Sequence, residues 1–168
     1  HALNNGQLFE IWKSMHKIRS VELSIADRYA NQKMRCPTHL SVGQEFPAAL
    51  TGSCANRTDY AISTHRGHAH FLAKGGSVDA LIAELYGKST GCSKGIGGSM
   101  HLADASIGFM GTSAIVGNSI PVGVGLGLHA KISGFNQVAF IFIGEGATEE
   151  GVFFESINFA AVRELPVV

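Results

Sequence analysis

The stretch Val138-Ala139-Phe140-Ile141-Phe142-Ile143, then Gly144-Glu145-Gly146-Ala147-Thr148, then Glu149-Glu150-Gly151-Val152-Phe153-Phe154-Glu155, decides the fold. Its first six residues are apolar without alternation, the pattern of a strand buried on both faces, as in a parallel sheet. From Glu149 onward, Phe153, Ile157, Ala160 and Ala161 fall at helical spacing. A glycine turn joins the two, so the stretch predicts a strand–turn–helix unit. Open α/β sheets hold their ligands at such turns, and the free amides of a helix start favour an anion. We expect a three-layer α/β fold with a mostly parallel sheet. Residues 138–143 are a central parallel strand of it, with Glu145 at that strand's carboxyl end.

The turn fits neither common phosphate loop. A dinucleotide fingerprint needs glycine where Glu149 stands, and a P-loop needs Lys-Ser or Lys-Thr where Val152-Phe153 stand. Glu145 is the odd residue. A carboxylate beside a phosphate repels it unless a cation lies between, and Mg²⁺ binds through one or two carboxylates plus phosphate oxygens. The turn therefore reads as a Mg²⁺-diphosphate site with Glu145 as one ligand. The competing reading is an ordinary turn carrying a solvated glutamate.

The 168 residues leave room for one domain with a real core. The chain is 45% hydrophobic, 15% charged and of zero net charge, so the basic excess expected of a nucleic-acid binder is missing. No apolar run approaches a membrane span. Cys36, Cys54 and Cys92 are widely spaced and suit reduced thiols in an intracellular protein. The chain opens on His1, not Met. It stops at Leu165-Pro166-Val167-Val168, which reads as the start of another buried strand. We therefore take 1–168 as the N-terminal part of a single α/β domain and expect the parent protein to continue.

Along the chain, Leu8, Ile11, Trp12, Met15, Ile18 and Ile25 form an apolar stripe at helical spacing, predicting a long amphipathic helix over 7–34 with Asn5 as its cap. Helical character returns around 44–50, and a short strand is predicted at 60–63. Ser77 caps a short helix over 77–86 whose buried face is Val78, Leu81, Ile82 and Leu85. Residues 87–113 form a glycine-rich loop of the length that is usually functional. Val116, Ile120, Val124, Leu128 and Ile132 predict a helix over 116–133. Its glycines serve either close packing or a cofactor surface. His65, His68 and His70 invite a zinc reading, but Arg66 lies among them and no cysteine or carboxylate completes a usual spacing. Arg66 could pair with a phosphate in bidentate fashion. His39, taken alone, reads as a surface or capping histidine.

Six stretches in order resemble the α subunit of the thiamine-diphosphate-dependent 2-oxo acid dehydrogenases, the pyruvate, branched-chain and acetoin types. They are 39–45 (His-Leu-Ser-Val-Gly-Gln-Glu), 63–68 (Ser-Thr-His-Arg-Gly-His), 83–88 (Ala-Glu-Leu-Tyr-Gly-Lys), 97–101 (Gly-Gly-Ser-Met-His), 114–117 (Ala-Ile-Val-Gly) and 144–147 (Gly-Glu-Gly-Ala). The resemblance implies a thiamine-diphosphate-binding fold. It implies that Glu145 binds Mg²⁺ and that Gly144, Gly146 and Ala147 meet the diphosphate. It implies that His65 and Arg66 hold the diphosphate, that Ala114 and Val116 meet the aminopyrimidine through the main chain, that His39 lies near the substrate carbonyl, and that His39 and His65 are the catalytic residues.

The implied activity is oxidative decarboxylation of a 2-oxo acid, with pyruvate favoured and acetoin as the alternative, followed by acyl transfer to lipoyl groups. The implied partners are a β subunit, in a heterotetramer, and a lipoyl-bearing acyltransferase core. The implied compartment is the bacterial cytoplasm or the mitochondrial matrix. Two departures matter. The family's second metal ligand, the first of an Asn-Asn pair, would fall just past Val168, and its cofactor-activating glutamate belongs to the β subunit. A nucleotide-binding dehydrogenase domain and a non-catalytic cofactor-binding paralogue are the competing readings, the former opposed by Glu149.

Overall fold

The computed structural model describes residues 3–34 and 36–168. Helices α1 (Asn5–Tyr29) and α2 (Glu45–Cys54) precede strand β1 (Tyr60–Thr64). Two short helices follow, α3 (His68–Ala73) and α4 (Val78–Leu85), then strand β2 (Phe109–Ser113). Helix α5 (Ser119–Ile132), strand β3 (Ala139–Ile141) and helix α6 (Gly151–Val162) complete the order.

The three strands form one parallel sheet in the order β2-β1-β3. Its middle strand is β1, not the 138–143 segment, and β3 keeps only three of those six residues. Residues 166–168 nevertheless pair along the other side of β3. The Ala139 amide donates to the Pro166 carbonyl and the Ile141 amide to the Val168 carbonyl, at 2.9 and 2.8 Å. The apolar run is therefore hydrogen-bonded on both sides, as a buried parallel strand requires.

Successive side chains of a strand point to opposite faces, and that alternation defines the layers. Phe140 and Phe142 pack on the main core with Ala61, Phe71, Leu81, Leu85 and Phe109, beneath α1 to α4. Ile141 turns to the other face and packs with Val124, Ala160 and Leu165 beneath α5 and α6. The glycines of α5 serve close approach: a Cβ at Gly123 would fall 2.4 Å from the Ile141 side chain, and one at Gly127 would fall 2.4 Å from Val167.

Other boundaries moved for local reasons. Helix α1 is capped by Asn4, one residue before the expected Asn5. Asn4 Oδ1 accepts the Gln7 amide and Gln7 Oε1 accepts the Asn4 amide, a reciprocal box. The helix ends at Tyr29, short of 34. Its stripe is buried at Ile11, Ile18 and Ile25, while Leu8 and Trp12 are exposed. Strand β2 lies inside the 87–113 stretch expected as loop and is a strand through its pairing with β1. The turn after β3 is a 3-10 stretch over Glu145–Glu149, so α6 starts only at Gly151 and its first residues do not line the space beyond β3. The three cysteines form no disulfide.

Candidate active site

Parallel strands all point their carboxyl ends the same way, so the residues that follow them gather on one side of the sheet. Here they line a single cleft of about 350 Å³. Thr64 ends β1 and His65 and Arg66 follow it, Ile115, Val116 and Gly117 follow β2, and Phe142 to Ala147 follow β3. Of the residues singled out in the sequence, His65, Arg66, Val116, Gly144, Glu145, Gly146 and Ala147 meet in this cleft. Ala114 does not line it; Ile115 and Val116 do. His39 stands behind the wall, its ring edge to face with His65 at a centroid distance of 4.8 Å.

Arg66 is anchored by Nη1, which donates to the Leu40 carbonyl. Among the described residues its other guanidinium N–H groups meet no protein acceptor. In the turn after β3, the Ala147 amide donates to the Gly144 carbonyl at 3.0 Å. The amides of Glu145 and Gly146 have no protein acceptor among the described residues, as befits the first turn of a helix. The Glu145 side chain is exposed. One wall thus presents a cation, the facing turn amides and a carboxylate.

The histidines of 65–70 go three ways, which removes the zinc reading. His65 meets His39, His68 is buried against Glu22 and Ser99, and the His70 Nδ1 lies 2.7 Å from the Ser63 hydroxyl. The His70 ring also stacks on Phe142 at 3.8 Å, and burial pulls its pKa down to about 4, so it is neutral near pH 7. Burial lowers the His39 pKa as well, helped by the nearby His65, Arg66 and His68. Its Nδ1 is buried without a protein partner.

Several structural residues escaped the sequence reading. Glu84, buried in α4, accepts four amides of the glycine-rich loop. Oε2 takes Ser93 and Gly95, each at 2.8 Å, and Oε1 takes Gly97 at 2.7 Å and Gly98 at 3.1 Å. Helical spacing placed residue 84 beside the buried face, but nothing local said that a loop would wrap it. Gln44, which the sequence leaves without a role, and His70, which it raises only as a zinc ligand, both lie on the cleft wall.

A family model described as the dehydrogenase E1 component matches residues 13–168. The chain belongs to that family. It is 41% identical, over 99% of its length, to the α subunit of acetoin:2,6-dichlorophenolindophenol oxidoreductase from Bacillus subtilis, covering 50% of that protein. It is 38% identical, over 94% of its length, to the pyruvate dehydrogenase E1 α subunit of Rickettsia felis, covering 48% of it. To the mitochondrial pyruvate dehydrogenase E1 α subunit of Solanum tuberosum it is 36% identical over 96% of its length, covering 41%. This E1 chain thus spans about half the length of the curated relatives it matches. Among the described residues no helix is long and apolar enough to cross a membrane.

Proposed function

We propose that the whole protein is the α subunit of the decarboxylating component of a 2-oxo acid dehydrogenase complex. It binds thiamine diphosphate with Mg²⁺, decarboxylates a 2-oxo acid, pyruvate by preference, and hands the acyl group to a lipoyl arm. The observation that carries this reading is the convergence of the loops after all three parallel strands on one cleft that holds both Arg66 and Glu145.

The donor set suits the cofactor's anionic end. Arg66 keeps guanidinium N–H groups for phosphate oxygens, which it can bind in bidentate fashion. The amides of Glu145 and Gly146 are open to the same anion. The Glu145 carboxylate suits a divalent cation between itself and the diphosphate. When bound, thiamine diphosphate supplies the electron sink that decarboxylation needs. This chain's residues bind, orient and handle protons. Ile115, Val116 and Phe142 keep the wall beyond the diphosphate apolar. Burial lowers the His39 pKa, which favours its neutral form, and its buried Nδ1 has no protein partner.

The remaining metal ligand and the acid that engages the aminopyrimidine are expected from residues past 168 and from a β subunit. Exposed Phe154, Ile157, Phe159 and Val162 on α6, and Leu8, Phe9 and Trp12 on α1, support packing against partner chains. A second reading, an acetoin dehydrogenase α subunit, is favoured by the 41% identity to the Bacillus protein against 38% to the Rickettsia one. The full-length protein, purified with its β-type partner, would be titrated with thiamine diphosphate in Mg²⁺ and assayed on pyruvate, branched-chain 2-oxo acids and acetoin. Failure to bind the cofactor would overturn the proposal.

A further inference from the structure

Four segments far apart in the chain meet behind His39. The Glu22 Oε1 of α1 lies 3.0 Å from His68 Nδ1 at the start of α3. His68 Nε2 lies 2.8 Å from the Ser99 hydroxyl, and that oxygen accepts the His39 main-chain N–H at 3.3 Å. Glu22, His68 and Ser99 are each 0% exposed. An ionised carboxylate only accepts, so His68 Nδ1 carries the proton between them. His68 Nε2 shares its hydrogen bond with the Ser99 hydroxyl, whose oxygen also takes the His39 main-chain N–H. A continuous hydrogen-bonded chain thus runs from the His39 main-chain N–H through Ser99 and His68 to Glu22. The other carboxylate oxygen, Oε2, is buried without a partner, so His68 is what holds Glu22 in place.

Core stability is a poor account of this arrangement. Apolar residues of similar volume commonly serve as well as a buried charged pair. The relay instead ends on a residue that needs an anchor. His39 belongs to a stretch with no helix or strand of its own, running from 36 to 44. Ser99 is by contrast a fixed point, because it directly follows the loop whose amides Glu84 clamps. The far side of His39 rests on His65, which lines the cleft.

We propose that Glu22, His68 and Ser99 are positioning residues for His39, a buried relay that fixes where its ring stands against His65 on the cleft wall. The assignment rests on the function proposed for that cleft. It predicts a loss of turnover without a loss of cofactor, because the relay ends on His39 and touches neither Arg66 nor the turn at Glu145.

The test is a double-mutant cycle in the full-length protein assembled with its partner. Pyruvate and acetoin are the substrates, with dichlorophenolindophenol as electron acceptor. Ser99→Ala should lower kcat by roughly 10- to 100-fold, the cost of a small misplacement of a reacting group. The Kd for thiamine diphosphate in Mg²⁺ should stay at the wild-type value. The Ser99→Ala/His39→Ala double variant should turn over no more slowly than His39→Ala alone, since a residue acting through His39 has nothing left to act on. Ser99→Cys, close in size but a poor acceptor, repeats the cycle if Ser99→Ala does not assemble, with a smaller loss of the same non-additive kind. Losses that multiply, or a Ser99 variant with full kcat, would overturn the relay while leaving the cleft's function intact. A wild-type protein that does not bind the cofactor would overturn the function itself and the relay with it.

Discussion

His39 and His65 meet edge to face, their ring centroids 4.8 Å apart and their planes at 77°. The contact joins a half-buried histidine outside the cleft to one on its wall. Arg66 and His68 also lie close enough to act on the His39 imidazole. Burial is the larger cause of the lowered His39 pKa, and these neighbours add to it.

Replacing His65 with Asn removes one of those neighbours, so the His39 titration midpoint should rise towards the ordinary 6.5 without reaching it, because burial remains. NMR titration of the His39 ring in both proteins measures this, and an unchanged or lower midpoint would refute it. The folded pKa lies below the unfolded one, so the unfolded chain takes up this proton first. Stability from His39 is complete above pH 6.5 and declines as pH falls below it.

Glu45 should govern a separate acid transition. Arg19 donates to it through Nε at 2.5 Å and Nη2 at 3.0 Å, and the Gly43 amide adds a third donor. The Arg19 hydrogen bond is the main reason the Glu45 pKa falls from 4.5 to about 2. The folded value is depressed, so the contribution is complete above pH 4.5 and is lost as pH falls from there towards 2. Urea midpoints of the full-length protein across that window should fall more steeply in wild type than in Glu45→Gln. Parallel curves would count against the pair.

Much of this was legible because burial leaves a compositional trace. The 138–143 run is apolar on both faces since each face meets a different helical layer, Phe140 and Phe142 one, Ile141 the other. Strand β2 left no such trace. It lies at one side of the sheet, contains Gly111, and turns the Thr112 hydroxyl to the Met100 carbonyl at 2.6 Å. Pairing with β1, not its own pattern, makes it a strand. In the site, the residues after β1 and β3 could be found because they abut a strand. The relay could not: Ser99 carries no local signal. Glu22 carried a faint one, a carboxylate on the buried face of α1, four residues beyond Ile18.

Glu84→Gln tests the loop clamp. Four amides point at one carboxylate, whereas a glutamine presents a single acceptor oxygen. Two of the four then face an NH₂ group, and leaving buried donors unsatisfied costs about 1–3 kcal/mol each. We expect a lower urea midpoint and faster hydrogen exchange in residues 93–98, read by mass spectrometry on the full-length protein. Unchanged exchange there would mean that the loop is held by other contacts.

Glu145 offers the sharpest test of the cleft, because its prediction rests on charge. The carboxylate is exposed in the same cleft as the turn amides and Arg66. Like charges about 4 Å apart repel by about 4 kcal/mol at an effective dielectric of about 20, and a bridging cation reverses that sign. Glu145→Ala should therefore weaken thiamine diphosphate binding in Mg²⁺ buffer, while Glu145→Asp should be milder. With Mg²⁺ removed by a chelator, the repulsion stands uncompensated in wild type and is absent in Glu145→Ala, so both should bind poorly and wild type no better than the variant. Titration calorimetry on the full-length protein with its partner chain gives all the affinities. Unchanged affinity for Glu145→Ala in Mg²⁺ would place the metal elsewhere, since no other carboxylate lines this cleft among the described residues.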